Sequence, residues 1–177
     1  MKKIILLFTL ILFTFNGYSQ EKGYVGLGLG YASVGGDVET LDGGLAMNLI
    51  GAGYMFSEKI GATINWGASS HADTSGGEMG GSDYGIGYIG IGPLFRFNSG
   101  ESMTIDLKPQ FMSQTLSVKD SGSTISETGS GFILGSSFNF AKKKKWGWGV
   151  DLDYSMKKSD GVQMNVFSIR GGFQYRW

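Results

Sequence analysis

The residues best suited to catalysis surround the single histidine, His71. Ser69, Ser70 and Asp73 lie within two positions of it, so a nucleophile, a base and a carboxylate are available for a hydrolase, which needs them in fixed mutual geometry. All four belong to the glycine- and serine-rich segment Ser69–Asp83, and such a loop positions catalytic groups poorly. The sequence therefore favours a solvated loop histidine over a catalytic one. One histidine and no cysteine also give no support to a metal site.

A glycine motif from Gly85 to Gly90, reading GIGYIG, fits the spacing of the dinucleotide-binding fingerprint. That fingerprint requires a helix after its glycine-rich turn, because the amino terminus of the helix binds the pyrophosphate. Here apolar residues continue with a two-residue period as far as Phe97, and Pro93 and further glycines oppose a helix. The motif is therefore predicted to belong to a strand, and no cofactor is expected.

Charged residues recur on the polar faces of three later segments, where they could line a polar pathway. The set consists of Asp106, Lys108, Asp151, Asp153, Arg170 and Arg176. Charges enclosed by protein must be paired or hydrated, and this set supplies both signs. We therefore predict a salt-bridged structural network in preference to an open pathway.

The longest basic run, Lys142–Lys145, could bind nucleic acid or anionic lipid. It is predicted to lie on a short turn, which favours a solvated turn near lipid headgroups. Over the whole chain 15 basic residues balance 15 acidic ones, so the charge gives no general signal for nucleic-acid binding.

The carboxyl-terminal stretch Phe167–Trp177 indicates what would position these charges. Aromatic and aliphatic residues fall on one parity of a two-residue period, and Arg170 and Arg176 fall on the other. Arginines on the second face would be costly to bury in an apolar core. A closed barrel in lipid removes the conflict, because the aromatic face contacts the membrane and the arginines enter a polar lumen.

The composition fits such a barrel and excludes several other classes. Of 177 residues, 31 are glycine and 14% are aromatic, with 17% charged and no cysteine. Small residues suit a crowded lumen while aromatic and aliphatic residues cover a lipid face. No apolar run long enough for a membrane helix, about 18 residues, follows the amino terminus.

Residues 1–19 are predicted to be a cleaved secretory signal peptide. Lys2 and Lys3 precede an apolar run from Ile4 to Phe15, and Gly17 and Ser19 supply the small residues expected before cleavage. Residues 20–177 would then form one domain.

Eight strands are predicted in that domain from period-two alternation. They cover Gly23–Ser33, Gly44–Phe56, Ile60–Ala68, Tyr84–Phe97, Ser102–Val118, Thr128–Phe140, Trp146–Met156 and Phe167–Trp177. The longer polar connections, predicted to be external loops, are Gly35–Gly43, Ser69–Asp83, Lys119–Glu127 and Lys157–Val162. Short turns alternate with these loops, which is typical of outer-membrane barrels with both termini in the periplasm.

Three strands carry irregularities. The parity of the second strand is ambiguous, because its apolar residues before and after Leu49 oppose each other. A parity switch at Tyr88 and Ile89 predicts a β-bulge in the fourth strand. Pro109 cannot donate a ladder hydrogen bond, so a bulge or a pairing defect is expected there.

These features predict an all-β protein, an eight-stranded antiparallel up-and-down transmembrane β-barrel with a filled lumen. The ordered strands and the ending Tyr175-Arg176-Trp177 resemble the small outer-membrane barrels of the OmpA/OmpX type. The resemblance implies outer-membrane lipid and the barrel-assembly machinery as partners, with Phe173, Tyr175 and Trp177 as the assembly signal, although Trp replaces the usual final Phe. It also implies a monomer with a structural, envelope or surface-interaction role and a potential extracellular ligand.

Three alternatives stay open at this stage. One is a narrow pore for small solutes. Another is an enzyme that modifies lipid A, since some eight-stranded barrels acylate or deacylate it, and His71 would then be required. The third is a soluble barrel of the lipocalin type, in which the aromatic face would surround a ligand.

Overall fold

The computed structural model describes residues 22–37, 43–72, 83–99, 102–120, 123–140, 144–159 and 162–177. The predicted signal peptide lies outside these residues. The strands are β1 Gly23–Gly36, β2 Gly44–Met55, β3 Ile60–Ala72, β4 Asp83–Ser99, β5 Met103–Asp120, β6 Ser123–Phe140, β7 Trp146–Ser159 and β8 Val162–Arg176. No helix in the described ranges is long and apolar enough to cross a membrane.

The eight strands form one closed antiparallel barrel, in which each strand pairs with the next and β1 pairs with β8. The closing ladder runs from Tyr24 opposite Arg176 to Gly36 opposite Met164. At its end the backbones of Gly23 and Trp177 exchange two hydrogen bonds of 3.1 Å. Closure pairs the edges that an open sheet would leave free. The predicted fold class and strand count are confirmed.

The two faces of the strands have opposite chemistry, as the alternation predicts. Large apolar side chains point outward, with Trp148 52% exposed and Phe173 68% exposed. Charged residues point inward, and Arg170 is only 2% exposed. A soluble barrel would reverse this arrangement, so the lipocalin-type alternative is wrong for this chain.

The ambiguous parity of β2 is produced by a β-bulge at Leu49 and Ile50. The register of β2 shifts by one residue against β3 between Asn48 and Ile50, and a matching shift occurs against β1. Both Leu49 and Ile50 are consequently exposed on the outer face. The extra residue keeps apolar side chains on the lipid side although the sequence parity changes.

The prediction of a β-bulge at Tyr88 and Ile89 is wrong. The register of β4 against both neighbours is continuous through these residues. Ile86 is buried and faces the lumen on the same side as Leu94. The apolar residues at the start of β4 therefore line the lumen, and the apparent parity switch reflects an interior that is partly apolar.

The pairing defect predicted near Pro109 is present between β4 and β5. Ladder pairs stop at Ile91 opposite Phe111 and resume, in the same register, at Phe95 opposite Leu107. Pro93 and Pro109, the two prolines of the chain, therefore face each other across the gap. Neither has an N–H group, so they cannot exchange the hydrogen bonds of a normal pair.

Several segments predicted as loops belong to strands instead. The strands extend to Ala72, Asp120 and Ser159 and resume at Asp83, Ser123 and Val162. The polar composition was misleading because hydroxyl side chains pair across β5 and β6, as Ser126 of a predicted loop does with Ser117 at 2.9 Å between the two Oγ atoms. Thr115 and Thr128 pair in the same way at 2.8 Å. Such cross-strand pairs stabilise a sheet outside the membrane.

Replacing both prolines with valine should stabilise the barrel. The Pro93→Val/Pro109→Val variant regains two backbone donors, and we expect the free energy of unfolding to rise by about 1–2 kcal/mol. Urea titration in lipid vesicles measures the change. Ala62→Val is the matched control, because it enlarges a neighbouring outward side chain without adding a donor. An unchanged stability of the double variant would contradict the proposed defect.

Candidate functional site

The lumen is the region where the predicted polar residues meet, and its first layer lies at the end of the barrel where β1 begins and β8 ends. We call this end the terminal end. Arg96 on β4 donates two hydrogen bonds of 2.8 Å to the carboxylate of Asp106 on β5. Asn139 Nδ2 also donates to Asp106 at 2.9 Å, and Gln174 Nε2 donates to Asn139 Oδ1 at 2.7 Å. Four strands are thereby joined across the interior.

The second layer contains two ion pairs, one between β5 and β7 and one between the neighbouring strands β7 and β8. Lys108 Nζ donates to Asp151 Oδ1 at 2.8 Å, and the hydroxyl of Ser137 donates to the same oxygen. Arg170 is paired with Asp153 and also donates to the hydroxyl of Tyr88 at 2.6 Å. Each charge in this layer thus has an opposite charge beside it, as enclosed charges require.

Arg176 and Lys157 lie near the two ends of the lumen. Arg176 is 3% exposed and donates to the carbonyl of Phe140 at 3.3 Å. Lys157, from β7, approaches Glu127 of β6 at 3.5 Å, and the carboxylate side chain is 54% exposed. The lumen therefore accommodates the six predicted residues, with Arg96 and Lys157 as additional charged members.

Glycines opposite the large polar side chains make room for them. A Cβ atom at Gly135 would lie 2.4 Å from Asp153 Oδ1, and one at Gly67 would lie 2.5 Å from the hydroxyl oxygen of Tyr88. A side chain at either position would force Asp153 or Tyr88 to move from its place in the lumen. The glycine content of the chain is thus tied to the size of the residues that fill the lumen.

The opposite half of the lumen is closed by an apolar cluster. Its buried members come from β1, β2, β4 and β8 and are Ala32, Val34, Ala46, Ile86, Met164 and Val166. Between this apolar layer and the charged layers lies a cavity of about 20 Å³, and a second cavity of about 30 Å³ lies among the charged residues. A single water occupies roughly 10–15 Å³ by this measure, so each cavity has room for one or two water molecules.

His71 lies on β3 and not in a loop, which corrects the sequence-based interpretation. Its side chain is 2% exposed, and its Nε2 atom is 2.8 Å from Ser69 Oγ. Ser70 points to the outer face and is exposed, so it cannot complete a triad with them. Asp73 lies outside the described residues. In the described ranges no three His, Cys, Asp or Glu side chains are grouped to hold a metal ion.

The predicted assembly-signal residues Phe173, Tyr175 and Trp177 share the outer face of the last strand. Tyr175 contacts Trp146 with ring centroids 5.1 Å apart, and it stacks with Trp177 at 6.3 Å. Their role in assembly stays a prediction.

Sequence reasoning missed Arg96 and the amides that support Asp106. Arg96 alternates with the outward residues Phe95 and Phe97, so its parity places it in the lumen. Asn139 and Gln174 also lie on inward parities. The inward parity of polar residues on every strand would have identified all three residues. The sequence prediction included only charged residues on three strands.

A closed antiparallel barrel with an apolar exterior and an ion-paired interior is the architecture of a transmembrane β-barrel. The family described as outer membrane protein beta-barrel domain matches residues 4–176. The chain belongs to this family, which places it in the outer membrane. The resemblance to small eight-stranded outer-membrane barrels is therefore confirmed.

Solved structures of the same shape include Neisserial surface protein A, with 15% identity and a TM-score of 0.68 over 88% of this chain and 97% of that chain. Ail, the attachment invasion locus protein of Yersinia pestis, has 16% identity and a TM-score of 0.57 over 88% and 99%. OprG of Pseudomonas aeruginosa has 12% identity and a TM-score of 0.56 over 89% and 97%. No curated protein sequence matches the chain. Identities this low establish the shared fold alone.

The Arg96–Asp106 pair should be a main source of stability. Asp106→Asn leaves Arg96 without its carboxylate, and we expect a loss of about 3 kcal/mol, at the low end for breaking a buried pair. Arg96→Met/Asp106→Leu should recover part of this loss, because replacing a whole buried pair with apolar residues is often nearly neutral.

Urea unfolding in vesicles measures both variants. Glu127→Gln is the comparison, because its pair with Lys157 is partly exposed and should be worth less than about 1 kcal/mol. Equal losses for Asp106→Asn and Glu127→Gln would show that burial gives the lumen pair no added importance.

Proposed function

We propose that the barrel is a non-enzymatic surface-interaction protein, with an accompanying structural role in the envelope. The observation that carries the proposal is the long hairpin formed by β5 and β6. In outer-membrane barrels both termini lie in the periplasm, so this hairpin projects from the cell surface.

The outer face of the hairpin changes from apolar to hydroxyl-rich along its length. Phe111 and Phe132 face each other with ring centroids 4.5 Å apart and mark the last aromatic pair of the lipid-facing band. Beyond them the hydroxyl pairs of Thr115 with Thr128 and of Ser117 with Ser126 follow. The strand from 113 to 120 is about 25 Å long at the usual rise per residue. The hairpin therefore extends well beyond the apolar band.

One edge of this hairpin carries no neighbouring strand in the described part of the chain. β6 pairs with β7 only from Gly131 onward, whereas it pairs with β5 as far as Ser123. The backbone of residues 123–130 thus presents a strand edge, which is a template for pairing with an extended segment of another protein. Ile125 is 73% exposed on this segment and would add an apolar contact.

The comparisons agree with a surface role without defining a ligand. Ail is named as an attachment and invasion protein and the Neisserial protein as a surface protein. None of these names denotes an enzyme, so the lipid-modifying alternative gains no support. We propose that the barrel is monomeric, since it closes on itself, and that it is secreted by cleavage after Ser19 and assembled through Phe173, Tyr175 and Trp177.

Shortening the hairpin should abolish binding to an extracellular partner. Replacing residues 117–126 with Asn-Gly joins Leu116 to Glu127 by a tight hairpin turn. We expect adhesion of cells displaying the barrel to laminin or fibronectin surfaces to fall roughly tenfold, because edge pairing with an extended segment of a protein supplies affinity in this mode.

Ser121→Asn is the matched control, because it creates the same Asn-Gly turn in a hairpin of full length. A heat-modifiable gel shift verifies that both variants fold. Full adhesion by the shortened variant, or no adhesion by the native barrel to either surface, would contradict the proposed role.

The filled lumen leads us to expect no ion conduction. The paired charges and the apolar cluster occupy the interior, and eight strands leave a space that side chains fill. In planar bilayers the purified barrel should give no discrete conductance steps. Removing Arg170 and Ile86 together, as Arg170→Ala/Ile86→Ala, serves as a positive control for an opened lumen. Regular conductance by the native barrel would favour the narrow-pore alternative.

A further inference from the structure

The terminal end of the barrel carries a group of lysines that the surface role leaves unexplained. Lys144 and Lys145 precede β7, and Lys22 precedes β1. The strand order brings these segments together on either side of β8. The backbone N–H of Arg176 donates to the carbonyl of Lys145 at 2.7 Å, and that of Lys22 donates to the carbonyl of Trp177 at 2.6 Å.

Three aromatic rings lie beside these lysines on the outer face. Trp146, Tyr175 and Trp177 form a continuous row, with centroid separations of 5.1 Å and 6.3 Å. The two indoles are 68% and 53% exposed. The ring of Trp177 lies against Gly23, where a Cβ atom would be only 2.5 Å away from it. The row is therefore held in place while its outer surface stays open to the bilayer.

Positive charge predominates in the segments at this end, where Lys22, Lys59 and Lys142–Lys145 outnumber Glu21, Glu58 and Glu101. Lys144 and Lys145 are exposed, they continue the run that starts at Lys142, and no acidic residue lies between Lys142 and Trp146. The basic side chains of β4 and β8 at this end do not join the cluster. Arg96 and Arg176 point inward, to Asp106 and to the carbonyl of Phe140 respectively.

The opposite end of the barrel has the reverse character. The sequence from 37 to 43 contains Asp37, Glu39 and Asp42 and no basic residue, and Lys119 and Lys158 are each followed within two positions by an aspartate. The concentration of positive charge is thus specific to the terminal end.

We propose that Lys22, Lys144 and Lys145, with the aromatic row, form a binding site for anionic phospholipid in the periplasmic leaflet. Exposed Trp and Tyr rings settle at the headgroup level of a bilayer, which puts the neighbouring ammonium groups beside the lipid phosphates. The apolar surface continues below the row through Trp148 and Phe173. The occupant must therefore combine a negative headgroup with acyl chains, as phosphatidylglycerol does.

The site fixes the depth of the barrel in the bilayer and gives its terminal end a preference for anionic lipid. Each lysine near an anionic surface strengthens lipid binding by roughly fivefold. The three lysines lie on either side of β8 and therefore act on the same headgroups. The site lies outside the lumen and away from the β5–β6 hairpin, so it is independent of the surface role.

Tryptophan quenching by brominated lipid tests the proposal on the complete folded barrel. Two vesicle preparations have the same composition, phosphatidylcholine with a minor fraction of phosphatidylglycerol. In one preparation the phosphatidylglycerol carries brominated chains. In the other, an equal amount of the phosphatidylcholine carries them. We expect brominated phosphatidylglycerol to quench the native protein roughly threefold more than brominated phosphatidylcholine, since the lysines enrich it beside Trp146 and Trp177. High salt should reduce this preference.

The variant Lys22→Ser/Lys144→Ser/Lys145→Ser should lose the preference, and Lys119→Ser/Lys158→Ser at the opposite end should keep it. A heat-modifiable gel shift establishes that each variant folds. Equal quenching by the two lipids in the native protein would overturn the proposal. Retention of the preference in the triple variant would overturn it as well.

Discussion

The structure depends on one constraint, that the charges enclosed by the barrel must be neutralised inside it. The wall is apolar outside, so an arginine or aspartate on the inner face is largely shielded from bulk solvent. Arg96 with Asp106, Lys108 with Asp151 and Arg170 with Asp153 meet this requirement in pairs. Removing one partner of such a pair costs far more than removing both, because a single enclosed charge remains. The pair of Lys108 with Asp151 also joins two strands that are not neighbours in the barrel, and all three pairs fill the space through which a solute would otherwise pass.

The glycine content follows from the same constraint. A barrel of eight strands has little interior volume, yet this one encloses arginine, lysine, tyrosine and glutamine side chains. Space for them is provided on facing strands, where Gly67 accommodates Tyr88 and Gly135 accommodates Asp153. Large polar residues and glycines are thus two parts of one packing solution. The apolar cluster around Ile86 closes the half of the lumen that the ion pairs leave unfilled.

The wall varies along the barrel in a way that separates its two ends. The terminal end carries aromatic rings and lysines suited to a lipid interface, whereas β5 and β6 continue past the apolar band as a hydroxyl-rich hairpin. The gap between Pro93 and Pro109 lies within the membrane-facing part of the wall. Neighbouring strands are fully paired there, so the barrel tolerates the loss of a few hydrogen bonds that an isolated hairpin would not.

The sequence by itself determined the number of strands, their antiparallel order, the chemistry of each face and the inward position of the six charged residues, because a two-residue period records which side of a sheet each residue occupies. Tertiary structure decided what depends on register. It paired Asp106 with Arg96, placed a bulge at Leu49 and none at Tyr88, extended strands through Ser- and Thr-rich segments, and buried His71 on β3. Parity cannot report these outcomes, since it identifies a face but not the neighbour opposite, and polar composition describes a loop and a strand in water equally well. Only the closed ladder, which sets each residue against one partner on each side, decides between them.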